Sequence, residues 1–266
     1  MSFPPATPGT MILMGTGTSM GVPMIGCDCA VCTSSNPRDQ RMRTGVAVHA
    51  PEGTFLIDTP PELRLQLVRE RIGMAEAVIY THAHADHILG LDDLRIFGYK
   101  RKRSVDLYCE QRVEAAIRQT FSYAFDTTQG LHSRPDLAFQ TIGTEPFELL
   151  GYRIRPIRLM HGTLPVLGFR INDVAFCTDC NAIPDESWPL LEGLETLIID
   201  ALFDEEHPTH FSVPQAIAVS ERVRPRRTYF THVSHRLGYE ATNARLPQGI
   251  ELAYDGLRVD LGTTSG

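Results

Sequence analysis

The stretch Thr81-His82-Ala83-His84-Ala85-Asp86-His87 gathers three imidazoles and a carboxylate into seven residues. It follows directly on Ala77-Val78-Ile79-Tyr80, an apolar run rich in β-formers that reads as a buried strand. The polar cluster therefore occupies a strand-end loop. In extended backbone, residues two apart point the same way, so His82 and His84 can present their rings to one point while Asp86 and His87 face elsewhere as the chain turns. That arrangement suits two ions. Borderline divalent cations take imidazole nitrogen and carboxylate oxygen, and two of them held about 3.5–4 Å apart clamp both the attacking and the leaving oxygen of a displacement. Manganese, zinc and iron all tolerate such donors. A second cluster, Cys27, Cys29 and Cys32 in the loop at about 26–33, spaces its thiols C-x-C-x-x-C. They lie too close together for an ordinary disulfide framework, and three thiolates leave a tetrahedral zinc one ligand short.

The elements that must position these groups are β-rich. Residues 11–14 form an apolar run, read as the first, edge strand of a sheet, that leads into Gly15-Thr16-Gly17-Thr18-Ser19, a turn permitting close backbone approach. Residues 44–50 and 54–57 read as a hairpin around Glu52-Gly53. Asp58 ends its second strand, where it is placed to N-cap a helix over 61–72. Residues 91–99 and 110–121 read as helices and 105–109 as a strand, whereas 122–144 shows no periodicity and reads as a loop or lid. The basic run at 99–103 is a solvated patch or an attractor for a phosphorylated substrate or RNA.

The second half repeats the pattern. A strand over 152–160 runs into His161, and strands over 166–171 and 174–177 pair around Asn172-Asp173 to deliver Thr178-Asp179. A strand over 197–201 precedes a polar loop, 204–212, with His207 and His210. A helix over 213–223 and a strand over 228–230 lead to His232 and His235, and strands over 250–254 and 257–259 turn at Asp255-Gly256. Cys177 and Cys180 make a C-x-x-C, but no thioredoxin-like helix accompanies them, which favours a structural role over a redox one.

A chain of 266 residues with 42% hydrophobic and 21% charged residues can bury a substantial core, and no linker divides it, so one domain over 1–266 is expected. The net charge of -7 argues against broad nucleic-acid or anionic-membrane binding and fits a small substrate. The Pro-rich start lacks the features of a leader and no apolar run reaches the length of a membrane span, so a cytoplasmic location is expected.

The T-H-x-H-x-D-H string after an apolar strand resembles the signature of the metallo-β-lactamase superfamily of hydrolases. The fold this implies is α/β, a four-layer αββα sandwich with two metals at one edge between the sheets. The run G-T-G-T-S-M-G-V-P at 15–23 and the clustered cysteines resemble the phosphodiesterase branch, in particular the phosphoribosyl cyclic phosphodiesterases that accompany carbon-phosphorus lyase. The resemblance implies His82, His84, His161 and Asp179 around one divalent ion, manganese or zinc, and Asp86, His87, Asp179 and His232 around the other. Two such ions share a water and lower its pKa toward about 7, so hydroxide is available as nucleophile. It further implies His235 as the fourth ligand of a structural zinc at Cys27, Cys29 and Cys32. Its catalytic residues are His210, Asp86 and Asp58: His210, 22 residues before His232, as general acid with His207 in reserve, and Asp58 behind a metal-ligand histidine. A small, possibly cyclic, ribose-containing phosphodiester and a homodimer complete the expectation.

Three rivals share some of these features. A ribonuclease Z-like processor of RNA ends has the metal motif but usually carries an RNA-gripping arm, and no Gly/Pro-rich insertion of that kind is present here. A protein like pyrroloquinoline quinone synthesis protein B shares the clustered cysteines but tends to lose part of the two-metal set. A non-catalytic zinc-stabilised scaffold would hold metal at the cysteine loop alone.

Overall fold

The computed structural model describes residues 7–126 and 134–262. Six strands come first: β1 (Thr10–Gly15), β2 (Gly45–Ala50), β3 (Gly53–Ile57), β4 (Ala77–Ile79), β5 (Val105–Cys109) and β6 (Leu137–Thr141). Seven more follow: β7 (Phe147–Leu149), β8 (Tyr152–His161), β9 (Leu164–Ile171), β10 (Val174–Cys177), β11 (Thr196–Asp200), β12 (Arg227–Thr231) and β13 (Ile250–Leu252). The last strand, β14 (Leu257–Asp260), returns to the first sheet. The two sheets run β14-β1-β2-β3-β4-β5-β6 and β13-β12-β11-β10-β9-β8-β7.

Each sheet is antiparallel at one side and parallel at the other, with β3, β4, β5 and β6 parallel in the first and β10, β11, β12 and β13 parallel in the second. Helices cover the outer faces. On the first sheet lie α1 (Leu63–Arg69), α2 (Ala85–Ile88), α3 (Arg95–Arg101), α4 (Gln111–Thr120) and α5 (Ser122–Phe125); on the second lie α6 (Val213–Val223) and α7 (Tyr239–Asn243).

Side-chain alternation explains why the strands read as continuous apolar runs. Met11 and Leu13 of β1 join Phe55, Ile57, Phe169, Phe176 and Ile198 in the core between the sheets. Ile12 and Met14, on the opposite face, pack with Leu56, Val78, Leu63, Leu67 and Phe97 beneath the helices. A third cluster sets Leu159, Ala175 and Ile199 against Val213, Ala216 and Val219 of α6. Both faces of the central strands are thus buried, giving the αββα order expected, and a period-two signal of apolar and polar residues is confined to strands such as β8 and β14, where one side is exposed. The start of α6 is fixed by a reciprocal cap between Ser212 and Gln215.

The structure corrects several expectations. β1 is not an edge strand, because β14 pairs with its outer side. The strands on either side of Asp255-Gly256 do not pair with each other: β13 ends the second sheet and β14 crosses to the first, so that turn carries the chain between layers. Within 122–144 the structure has α5 and β6; residues 127–133, the middle of the expected lid, lie outside the described residues. The helix expected over 61–72 spans Leu63–Arg69 with Glu62 at its N-cap, so Asp58 does not cap it.

Candidate metal centre

In open sheets with parallel strands, ligands gather beyond the carboxyl ends of those strands. The polar residues here stand at such ends. Asp58 follows β3, His82 follows β4, Asp179 follows β10, Asp200 ends β11 and His232 follows β12. His161 closes β8 at the same edge. Backbone strain marks the place, since Asp58, Asp179 and His232 adopt φ of 63°, 52° and 56°, left-handed values that non-glycine residues rarely take. Each therefore turns out of its strand at once.

Two groups of donors result. His82, His84 and His161 offer ring nitrogens within 4.8 Å of one another, and Asp86, His87, Asp179 and His232 do the same with nitrogen and carboxylate oxygen. Asp179 lies between the groups. Its Oδ1 is 3.3 Å from His87 Nε2, while its Oδ2 is 3.3 Å from His232 Nε2 and 4.0 Å from His82 Nε2. Asp86 Oδ2 stands 3.4 Å from His87 Nε2 and 3.8 Å from His232 Nε2.

The outer nitrogens of His82, His87 and His161 are held, while inner ones are left over. His87 Nδ1 donates to Asp58 Oδ2 at 2.7 Å, and His161 Nδ1 donates to the Thr209 carbonyl at 2.8 Å. His82 Nδ1 meets the Thr81 hydroxyl at 3.0 Å, and that hydroxyl donates to Asp58 Oδ2 at 2.7 Å. By contrast, the buried Nε2 atoms of His82, His87 and His232 have no hydrogen-bond partner among the described residues. A buried polar atom left unpaired costs roughly 1–3 kcal/mol, so three of them converging on carboxylates fit cation ligands and fit little else. Charge agrees with this. Burial works against ionising His87, but Asp179, Asp58 and Asp86 prevail and push its pKa well above the ordinary value. Burial likewise opposes His232, which its carboxylates nevertheless raise to about 9. Asp179 is held far below the usual carboxylate range against the cost of its burial by His232 and His87. Asp179 and Asp86 stay ionised, and the pocket favours positive charge at its centre.

Asp58 is fully buried and accepts from the Thr81 amide as well, at 2.8 Å, so it positions His87 directly and His82 through Thr81. Beside the centre, His210 stacks on His232 with ring centroids 4.6 Å apart and planes 15° from parallel, and its Nδ1 donates to Asp200 Oδ2 at 2.6 Å. His207 is one step further out, 5.3 Å from His210, and only partly buried. Asp200 was not singled out by the sequence analysis. Its signal was present: Ile199-Asp200 ends an apolar strand just as Ile57-Asp58 does.

The second site assembles as its parts require. Cys27 Sγ and Cys29 Sγ lie 3.3 and 3.4 Å from His235 Nδ1, and the four ligand atoms, with Cys32 Sγ, fall within 4.8 Å of one another. The amides of Cys32 and Met24 donate to Cys29 Sγ and Cys32 Sγ at 3.4 and 3.3 Å. The Cys32 amide, with His235, draws the Cys29 thiol down to about 6, while burial pushes Cys32 up to about 11. Three sulfurs and one imidazole are the donor set of a closed tetrahedral zinc. The loop is locked to the chain beyond β12 by Arg41, whose buried guanidinium donates to the carbonyls of Ser234 and Leu237 at 3.1 and 2.8 Å.

Comparison with known proteins follows the same lines. A family profile described as "Beta-lactamase superfamily domain" matches residues 54–233. A solved diphosphatase from the PhnP family is 42% identical, with a TM-score of 0.89 over 94% of this chain and 96% of its own. Zinc-bound PqqB from Methylobacterium extorquens, 19% identical, has a TM-score of 0.78 over 94% of this chain and 99% of its own. The short form of human tRNase Z, 18% identical, reaches 0.70 over 96% and 100%. At those two identities the likeness is one of fold alone. An octanoyltransferase of Porphyromonas gingivalis is 36% identical over 92% of this chain, and the chain spans half, 50%, of that protein's length. Among the described residues no helix is long and apolar enough to cross a membrane. The fold, the profile match and the likeness to the diphosphatase agree, and the chain belongs to the metallo-β-lactamase superfamily of hydrolases and, within it, to the PhnP family.

Proposed function

We propose that the protein is a metal-dependent phosphodiesterase acting on small, ribose-containing phosphodiesters, cyclic ones included. In this reading His82, His84, His161 and Asp179 hold one divalent cation, manganese or zinc, and Asp86, His87, Asp179 and His232 hold the other. Cys27, Cys29, Cys32 and His235 hold a structural zinc. A pair of divalent cations supplies a nucleophilic oxygen at neutral pH and offsets the charge on phosphoryl oxygens.

The observation that carries the reading is His210. With Nδ1 fixed on Asp200 at 2.6 Å, Nε2 is the nitrogen left to serve the substrate, and the ring lies against His232 at the margin of the centre. An alkoxide leaving group is too basic to depart unaided at neutral pH, and a positioned donor speeds its departure by about 10²–10⁴-fold. His210 gives its Nε2 proton to the leaving oxygen as the phosphorus–oxygen bond breaks, and Asp200 holds the ring in place through Nδ1. The likeness to a PhnP-family diphosphatase supports phosphoryl chemistry. The charge of -7 favours a small substrate over structured RNA. A homodimer belongs to the proposal, and sedimentation analysis tests it.

The experiment is His210→Ala measured on two diesters. On a ribose cyclic phosphate or an alkyl diester, turnover should fall by about 10²-fold or more, whereas bis(p-nitrophenyl) phosphate, whose leaving group needs little protonation, should lose far less. Metal content should be unchanged. Equal losses on both substrates would contradict proton donation by His210.

A further inference from the structure

The two halves of the molecule each pair a strand-end aspartate with a Thr-His dipeptide at the end of the neighbouring strand. In the first half these are Asp58 after β3 and Thr81-His82 after β4; in the second they are Asp200 at the end of β11 and Thr231-His232 at the end of β12, with Asp200 and Thr231 in register across parallel strands. Each aspartate also grips one further histidine directly, Asp58 with His87 and Asp200 with His210, at 2.7 and 2.6 Å. In the first half the remaining link is closed. The Thr81 hydroxyl donates to Asp58 at 2.7 Å and meets His82 Nδ1 at 3.0 Å, so one carboxylate orients two histidines.

In the second half the corresponding link is open, although Asp200 and Thr231 are paired across neighbouring parallel strands. Asp200 Oδ1, Thr231 Oγ1 and His232 Nδ1 are all buried and have no hydrogen-bond partner among the described residues. Asp200, Thr231 and His232 are respectively 0%, 0% and 2% exposed, and an Asp200 oxygen lies within 4.8 Å of a His232 ring nitrogen. With neither atom hydrogen-bonded directly to the other, that upper bound lies within the span of two bonds through one water. Three polar partners are what a buried water requires, and a ligating histidine commonly directs its other N–H to a carboxylate, a carbonyl or a water.

We propose that Asp200, Thr231 and His232 enclose a structural water, and that Asp200 through it positions His232 as well as His210. The inference rests on the metal-ligand role proposed above for His232. All three groups are satisfied together. The water accepts from His232 Nδ1–H and from the Thr231 hydroxyl, and donates one hydrogen to Asp200 Oδ1. His232 is thereby kept in the tautomer whose Nε2 lone pair faces Asp86 and Asp179. A single buried carboxylate then sets both the proton donor and a cation ligand, as Asp58 sets two ligands on the other side.

Thr231→Val separates this from a role of Asp200 through His210 alone, because it removes one partner of the water and leaves the Asp200–His210 bond intact. Metal-loaded protein is equilibrated with a chromogenic chelator, a readout that does not depend on which substrate the enzyme hydrolyses. Thr231→Val should weaken retention of one active-site ion by about 10-fold, the lower end of what loss of a supporting group costs a metal site. Thr231→Ser, which keeps the hydroxyl, should restore it. Asp200→Asn should weaken retention on a His210→Ala background as well as alone, while the selectivity between alkyl and p-nitrophenyl diesters should survive in Thr231→Val and fail in Asp200→Asn. Unchanged retention in Thr231→Val, or equal loss in the Ser and Val variants, would overturn the water site. An Asp200→Asn effect confined to leaving-group selectivity would overturn the second role of Asp200. So would a high-resolution crystal structure with no solvent between the three atoms. If no diester is hydrolysed but the retention pattern holds, the proposed reaction fails and this inference stands.

Discussion

Asp58→Asn is the sharpest perturbation of the centre, because the side chain keeps its shape while losing one acceptor. Asp58 accepts from the Thr81 amide at 2.8 Å, the Thr81 hydroxyl at 2.7 Å and His87 Nδ1 at 2.7 Å. An asparagine has one carbonyl oxygen for these donors, and its amide nitrogen must face at least one of the others. If the oxygen stays with the Thr81 amide, the Thr81 hydroxyl can turn to accept, but His87 is left with Nδ1 against an N–H donor. The ring then shifts its proton to Nε2, the atom that must face the cation. Restoring the binding tautomer leaves a buried donor unmet, at about 1–3 kcal/mol, which corresponds to a roughly 5- to 150-fold loss of affinity for one ion. Folding should suffer less than binding, since burial raises the pKa of Asp58 even against the pull of His87 and a neutral amide relieves that cost. Chelator competition and thermal melts of the metal-stripped proteins measure the two effects. A variant that kept wild-type affinity, or lost stability in proportion to affinity, would refute the account of Asp58 as the support of His87.

Cys29→Ser should remove about one zinc per chain and lower the melting temperature while leaving the other two ions in place, which elemental analysis and calorimetry can check. Asp255 gives a pH test away from the metals. Burial raises its pKa from 3.8 to about 6 despite bonds from the Met42 amide, the Thr16 hydroxyl and Arg69. A carboxyl raised on folding contributes stability that is fully present below pH about 4 and is lost as pH rises through about 6, a swing on the order of 3 kcal/mol. Urea unfolding of wild type and Asp255→Asn at several pH values should therefore show wild type losing ground to the variant across that window; parallel curves would contradict the shift.

The legible part of the site was the part set by local spacing. Thr81 to His87 and the cysteine loop declare their chemistry within a few residues; β1 and β3 stand out because strands buried on both faces are nearly apolar throughout, and β8 stands out by its alternation of apolar residues with exposed arginines. Asp179, His161 and His232 are single residues at strand ends, and only a resemblance joined them to the cluster. Asp200 escaped because its partner, His210, is fixed by the path of the 204–212 loop and not by spacing. The turn at Asp255-Gly256 has the residues of a hairpin, but β1 offers β14 a better partner than β13 does, since the side chains of β14 complete the core between the sheets. β6 was missed because it sits at a sheet edge with half-exposed side chains, where the apolar pattern is weakest.

The central claim of the proposed function is that Asp179, with the histidines and Asp86 around it, would hold the divalent cations that phosphodiester hydrolysis requires. The direct test is kcat/KM of the metal-loaded enzyme on a ribose cyclic phosphodiester, an octanoyl thioester and a precursor tRNA, beside the same assays and elemental analysis of Asp179→Ala. The account predicts that the cyclic diester is the best substrate, that Asp179→Ala loses that activity, and that it loses at least one active-site ion while keeping the zinc of the cysteine loop. Preferred turnover of the thioester or the RNA, or full metal occupancy and normal diester turnover in Asp179→Ala, would contradict it.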